Sequence, residues 1–362
     1  MNIVGINISH DTSVCLMQDK KIIFYLEEER LCKIKSYMIR DLPVKKIKTL
    51  DKIKNFISKI DYLIITTFKS DDALLDIKIA EDIVNQIIKI GLKLDKITLN
   101  LEDHHLIHAH NSFYLSGFES AAVVITDGSG SYSSLFPDEN GLHYREIESV
   151  YKFNNNQYKM LYKHYSSFGT TRNSEKFFYR TMDNNKIVLS NSLGCGQLFT
   201  EVSIGILNFK EHESGKTMGM SSYGVLDNDK TEWFKEYENN VLFDYDFFDT
   251  LLKSKIYQSA SFQEQANYTK KLQHETKEYT ICLIQKAIDL SDSNNVVLSG
   301  GYFQNCVNNY AYLKAFPNIN FYVDPICYDG GTAIGACLYV WHHVLGNPNT
   351  LQTFNNLYLG PE

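Results

Sequence analysis

Residues 121–131, AAVVITDGSGS, repeat the plan of residues 3–13, IVGINISHDTS: an apolar strand runs into a short polar turn and a second strand is expected beyond it. In the first copy the strand Ile3 to Ile8 meets the turn Ser9 to Ser13, then Val14 to Met17 and Lys21 to Leu26 complete a three-stranded meander. In the second copy Ala121 to Thr126 meets the turn Asp127 to Ser131. A strand is expected from Tyr132 to Phe136, a turn from Pro137 to Gly141, and a third strand from Leu142 toward Val150. Such self-similarity predicts an internal duplication of structure.

Each meander leads into alternating helical and strand patterns. The first half continues with a helix over Leu42 to Ile57, a strand over Tyr62 to Phe68, a helix over Ala73 to Ile90 and a helix from His104 toward Gly117. The second half continues with a helix over Thr269 to Leu290, a strand over Asn295 to Leu298, a helix through Phe303 to Lys314, a strand over Asn320 to Asp324 and a last helix over Thr332 to Val344. Helices packed on mixed sheets follow from this order. A duplicated meander followed by helix, strand and helix predicts an α/β, two-lobed, ribonuclease-H-like fold of the kind shared by actin and the sugar kinases. The first lobe is expected over 1–117 and the second over 118–345, with an inserted, mainly helical segment at about 151–268 that shapes an acceptor pocket. The active cleft would lie between the lobes.

Residues 103–110, DHHLIHAH, open one of these helices, and His104 and His108 stand four apart on it, close enough to share one ion. Asp127 and Asp329 each end an apolar run directly before glycine, where open α/β sheets place their ligands. A histidine-rich helix start is often only a polar cap with one core histidine. The two Asp-Gly turns are what raise the four residues to a candidate metal set.

Other motifs have plain structural readings beside functional ones. Gly128, Ser129 and Gly130 form a flexible turn whose backbone could cradle an anion, or a simple hairpin turn. Gly300 and Gly301 follow a strand and open a helix, which suits either a nucleotide or tight strand-helix packing. Lys216 lies between Gly215 and Gly219 and could meet a phosphate oxygen, though lysines beside glycine are common on surfaces. His10 and Asp11 lie in the first turn, where the imidazole could take a proton from an attacking hydroxyl or merely stabilise the turn. Spacing supports no Ser-His-Asp or Cys-His arrangement.

With 362 residues, 44% of them hydrophobic, the chain can bury a large core. A net charge of −7 with dispersed Lys and Arg argues against nucleic acid as a partner. The run Lys45 to Lys48 reads as the solvated face of a helix. Seven cysteines with no C-x-x-C pair suit reduced thiols in a cytoplasm. The N-terminus reads directly as a strand, with neither signal-peptide nor membrane-anchor pattern.

Taken in order, several segments resemble the O-carbamoyltransferases of the nodulation and antibiotic-tailoring type, whose catalytic domain is similar to the threonylcarbamoyl-tRNA synthesis protein. These are Gly5 to Asp11, Glu29-Arg30 with Lys35, His104 to Ala109, Phe113 to Phe118, Asp127 to Gly130, Ser192 to Gly194 and Gly215 to Gly219. Tyr223-Gly224, Gly300-Gly301 with Asn305-Cys306, and Asp329-Gly330 leading to Ala333 through Ala336 complete the set. The resemblance spans nearly the whole chain. It implies a divalent metal, iron first with zinc or manganese as alternatives, on His104, His108, Asp127 and Asp329. It also implies ATP-derived carbamoyl adenylate as donor, held by Lys216, Asn305 and the backbones of Gly128, Gly300 and Gly301, and a small hydroxylated acceptor whose proton goes to His10 or Asp11.

The pattern departs from the family in two places. Ser214 stands where an acidic residue usually precedes Gly-Lys, with Glu213 one position earlier, and Ser131-Tyr132 follows Gly130 where an acidic residue is commoner. Residues 346–362 read as a linker toward a second domain, so a separate carbamoyl-adenylate-forming domain or protein is an implied partner, with no membrane. Threonylcarbamoyl transfer to tRNA and a non-catalytic nucleotide-binding module of the same fold stay open as alternatives.

Overall fold

The computed structural model describes residues 1–39, 44–68, 73–100, 103–133, 143–167, 177–226, 232–238, 240–243, 260–349 and 359–360. Strands β1 (Asn2–Asn7), β2 (Ser13–Gln18) and β3 (Lys21–Glu27) form the first meander, and β4 (Lys59–Thr66) and β5 (Lys93–Asn100) extend it in the order β3-β2-β1-β4-β5. The first three pair antiparallel, and β1, β4 and β5 run parallel. Short helices α1 (Glu29–Cys32) and α2 (Lys48–Ile53) and the longer α3 (Ala73–Lys89) precede or follow these strands. The helix expected from Leu42 is shorter: residues 42 and 43 lie outside the described residues, and the described helix begins at Lys48.

The second sheet repeats the plan. Strands β6 (Ser120–Thr126), β7 (Arg145–Asn154) and β8 (Gln157–Ser166) form an antiparallel meander, while β13 (Asn295–Ser299) and β14 (Asn320–Val323) lie parallel beyond β6. Its order β8-β7-β6-β13-β14 matches that of the first sheet, which establishes the two-lobed, ribonuclease-H-like duplication. Two further strands, β9 (Tyr179–Met182) and β10 (Ile187–Ser190), widen it beyond β8. A separate hairpin pairs β11 (Phe234–Tyr237) with β12 (Asn240–Phe243).

Of the strand expected from Tyr132 to Phe136, only Tyr132 and Ser133 are among the described residues, and Tyr132 forms an isolated bridge with Arg145. Residues 134–142, including the expected turn, lie outside the described residues. The second and third meander strands are instead β7 and β8, joined by a two-residue turn in which Asn155 takes a left-handed φ of 53°. Consequently the segment from 151 opens as strand. Its helical part begins at Cys195, with α5 (Cys195–Gly205) and α6 (Ser214–Met220).

Helix α4 (His104–Leu115) follows the first sheet in the chain but packs on β6, β7 and β13 of the second. Helix α7 (Phe262–Ser291), begun by a capping box between Ser261 and Glu264, covers the other face of the second sheet with α5. After α8 (Cys306–Ala315), helix α9 (Thr332–Leu338) crosses back onto β1, β2 and β4. Each half thus sends its helix to the other half's sheet, and α4 and α9 meet in the layer between. That layer is apolar, with Ile3, Ile64, Ile107, Val123, Ile334 and Ala336 buried together. Among the described residues no helix is long and apolar enough to cross a membrane.

The crossing is a backbone contact. A Cβ on Gly335 would lie 2.2 Å from the carbonyl oxygen of Ile107, and one on Gly5 would lie 2.1 Å from that of Ala333. Both obstacles are backbone atoms that no rotamer change can move. Gly335→Ala is therefore expected to destabilise the chain by about 3 kcal/mol, the upper range for overpacking. Gly215→Ala, in open space on the helical stretch of α6, should be neutral or stabilising by about 0.5–1 kcal/mol. Urea unfolding of both variants checks the pair.

Candidate metal centre

The crossing helices bring their N-terminal ends together at the ends of β1 and β6. Helix α4 presents His104 in its first turn and His108 one turn later, both buried. The turn Asp329–Gly331 leads directly into α9, and Asp127 follows β6. The four side chains converge, each with one nitrogen or oxygen within 4.8 Å of all the others. His104 Nε2 lies 3.1 Å from His108 Nε2, 3.5 Å from Asp127 Oδ2 and 3.4 Å from Asp329 Oδ1, and His108 Nε2 lies 3.5 Å from Asp329 Oδ1.

Such a donor set fits a divalent ion. Ligand atoms at about 2.1 Å from a common tetrahedral centre stand about 3.4 Å apart, close to these separations. Asp329 Oδ1 is buried without a hydrogen bond among the described residues, and the Nδ1 atoms of His104 and His108 likewise lack one. The remaining carboxylate oxygens are oriented from outside. Ser9 Oγ donates to Asp329 Oδ2 at 2.6 Å, and the Gly301 N–H donates to Asp127 Oδ1 at 2.9 Å. Two imidazoles and two carboxylates suit iron, zinc or manganese.

Electrostatics give the same account of the cluster. Burial opposes charge on His104, but Asp329 and Asp127 overcome it and raise its pKa to about 10. Burial also opposes ionisation of Asp127, yet His104 and His108 hold it down at about 2, and Asp329 lies well below the carboxylate range because His10 and His104 face it. Without an ion, protons supply the positive charge that the carboxylates demand.

His10 stands at the rim, half exposed. Its Nδ1 is 2.9 Å from Asp11 Oδ2 and its Nε2 is 3.4 Å from Asp329 Oδ2. Asp329, against burial and with help from Asp11, raises its pKa to about 10. Asp11 takes a left-handed φ of 59°. Asn7 holds the turn by donating to the carbonyls of His10 and Asp11 and, at 3.0 Å, to that of Asp329.

The residues expected to hold a nucleotide are placed less uniformly. Gly128 is open, and a Cβ on Gly196 at the start of α5 would meet the Asp127–Gly128 peptide at 2.4–2.6 Å. Ser129 lies between Gly128 and the tightly packed Gly130, whose Cβ would meet Glu146 Oε2 at 2.6 Å. Gly300 has φ +100° and passes against the Thr126 carbonyl, its N–H donating to Cys327 O at 2.8 Å. Since the Gly301 N–H goes to Asp127, this pair offers a ligand close approach rather than N–H donors. Asn305 is committed elsewhere: its side chain caps α8 at Asn308 N and pairs reciprocally with Gln273. Lys216 is exposed on α6, outside the cluster, with its ammonium 2.5 Å from Glu213 Oε1. The acidic residue displaced by one position still reaches the lysine.

Ser9, Asn7 and Glu146 were missed by sequence reasoning. Ser9 had a signal, a hydroxyl inside the IVGINISHDTS turn; Glu146, in the polar-rich strand REIESVYKFN, had none that sets it apart from Glu148. Glu148, His164 and Ser190 also line up, with His164 Nε2 2.7 Å from Ser190 Oγ and Nδ1 3.4 Å from Glu148 Oε2. All three are at most 1% exposed, so this chain of bonds ties β7, β8 and β10 together inside the core.

The family described as carbamoyltransferase N-terminus matches residues 72–338, which take in all four cluster residues and leave His10 and Asp11 outside. The nodulation protein NolNO of Sinorhizobium fredii is 23% identical over 98% of this chain and 49% of its own length. Nodulation protein NolO of Bradyrhizobium diazoefficiens is 24% identical over 72% of this chain and 42% of its own. The chain spans under half the length of these curated relatives. Among solved structures, full-length HypF in its phosphate- and nucleotide-bound form superposes with a TM-score of 0.53 at 14% identity, over 93% of this chain and 55% of that one. HypF of T. kodakarensis gives 0.56 at 10%, over 95% and 48%. These two likenesses concern the fold alone.

Elemental analysis of untagged protein is expected to find one equivalent of divalent metal, lost in His104→Ala and Asp329→Ala while circular dichroism is retained. Stability of the chelated chain should follow the cluster's charges. His104, raised from 6.5 to about 10, contributes fully below about pH 6.5 and loses that contribution as pH climbs toward 10. Asp127, lowered from 3.8 to about 2, contributes above about pH 4 and loses it as pH falls toward 2. Half-exposed His10 adds less, because water screens it. Urea midpoints are expected to be higher at about pH 6 than at about pH 9, with most of the difference gone in His104→Ala.

Proposed function

Because this chain belongs to the carbamoyltransferase N-terminus family, we propose that it is the transferase part of an O-carbamoyltransferase, moving a carbamoyl group from carbamoyl adenylate to a hydroxyl of a small acceptor such as a sugar or natural product. The observation that carries this reading is the convergence of His104, His108, Asp127 and Asp329 at the ends of β1 and β6, with His10 at its rim. The donor would be made from carbamoyl phosphate and ATP by a separate domain or protein.

His104, His108, Asp127 and Asp329 would hold the metal. A divalent ion there supplies Lewis acidity toward the donor's oxygens and meets the Asp329 charge that keeps His10 protonated. The Asp127–Gly130 turn, Gly300 and Gly301 would let the adenylate approach the backbone closely, and Lys216 on α6 would meet it as a point charge. Asp11 takes the Nδ1 side of His10, so Nε2 is the nitrogen that exchanges a proton with the acceptor. The acceptor oxygen bonds to the carbamoyl carbon as the bond from that carbon to the phosphate oxygen breaks. AMP carries away that electron pair, His10 takes the hydroxyl proton, and a carbamate ester remains.

Metal-loaded protein, synthetic carbamoyl adenylate and a panel of sugars and hydroxylated natural products test the reaction. AMP release with a carbamate detected by mass spectrometry on one acceptor is the expected result. His10→Ala should slow transfer by about 10²- to 10⁴-fold, the usual contribution of a general base. Nucleotide binding without transfer to any acceptor would instead make the chain a binding module.

A further inference from the structure

We propose that Glu146 is a positioning residue for the four-residue cluster: one buried carboxylate, bonded to Lys163 of the neighbouring strand, caps helix α4 and pins the Asp127 turn at once. This inference rests on the metal reading above. Helix α4 leaves its first-turn N–H groups without an internal partner, and its N-cap residue Asp103 makes no side-chain capping bond. Glu146 supplies the cap from strand β7. Its Oε2 accepts from His105 N at 3.3 Å and from Ser131 N at 3.1 Å. The backbone adds two more ties to the same turn, Gly130 N to Glu146 O at 2.7 Å and Glu146 N to Ser131 O at 3.1 Å. One residue therefore holds the neighbour of His104 and both residues that close the turn begun by Asp127.

The strand is built to deliver that carboxylate. Side chains two apart on a strand share a face, so Glu146 and Glu148 would point the same way. A register irregularity in the β7–β8 pairing between these two residues breaks the alternation. Glu146 turns toward α4, whereas Glu148 turns to the opposite face, where Tyr279 of α7 donates to it. Lys163, on the adjacent strand β8, bonds to Glu146 Oε1 and lies near the rings of Tyr151 and Tyr165, their centroids 5.8 and 5.4 Å away.

The charges have a stated reason to exist. Burial opposes ionisation of Glu146, and Lys163 chiefly overcomes it. A buried ion pair is seldom the most stable filling for a core. Here the anion faces a helix N-terminus and a turn amide, both of which bind a charged acceptor more tightly than a neutral one. Removing it would free two elements that each carry a ligand, and groups that orient metal ligands typically influence affinity by about 10- to 100-fold.

Glu146→Gln alone would strand the Lys163 charge, so the informative variant is Glu146→Gln with Lys163→Met. Tyr279→Phe, which breaks a buried bond on the opposite face of the same strand, is the reference. The double variant is expected to bind Fe(II), added anaerobically, about tenfold or more weakly at unchanged stoichiometry, with a thermal midpoint near that of Tyr279→Phe, whose affinity stays native. In the metal-free proteins, hydrogen exchange of the segments carrying His105 and Ser131 is expected to quicken about tenfold, the same order as the affinity loss. Unchanged exchange overturns the clamp whatever the metal does, and quickened exchange with native affinity overturns the positioning role. A native chain that takes up no metal overturns the metal reading and the positioning role together, and the exchange result then judges the clamp alone.

Discussion

The contact between the backbones of α4 and α9, where Gly335 passes under the Ile107 carbonyl, carries the rest of the molecule. Each helix lies against the sheet of the other half, so the two sheets cannot be placed independently of their crossing. It also sets the distance between the helix starts, and those starts bear His104 and Asp329. A bulkier residue at position 335 would push the two helices apart, and with them the starts that carry His104 and Asp329. Gly331 serves the same seam, where a Cβ would lie 2.6 Å from Asn111 Nδ2 of α4.

Two buried carboxylates then define the chemistry. Asp127 and Asp329 are both at most 5% exposed and face the same pair of imidazoles. Like charges so placed repel unless positive charge lies between them. The structure offers it in graded form, through the helix N-termini, the Ser9 hydroxyl, the Gly301 N–H and protonated His104 and His10. These features hold the two carboxylates in place.

Much of this was legible in the residues. The strands flanking the Ser9 turn and the strand leading into the Asp127 turn stand where their apolar runs predict, and the four residues that converge are those singled out from helix spacing and strand-end aspartates. Strand β5 was not seen, because Lys93, Asp95 and Lys96 make it read as polar. It is an edge strand held by pairing to β4 and by the Lys59–Asp95 ion pair, and edges favour charge. The strand expected from Leu142 toward Val150 is β7, which is the second strand of the meander and not its third; β8 was not foreseen, because the Asn154–Asn156 turn that marks it was overlooked. Asn305 and Gly301, read as ligand contacts, are engaged within the protein, since a buried amide or N–H takes the nearest partner the fold provides.

Local chemistry along the chain was enough to specify strands, helix faces, the duplicated order and the identity of four metal-ligand candidates, because periodicity and donor type are properties of neighbouring residues. Packing alone settled which of the polar residues meet. The exchange of helices between halves, the bulge that turns Glu146 toward α4, and the pairing of Glu146 with Lys163 depend on contacts between segments remote in sequence, and no local pattern encodes a distance across a fold.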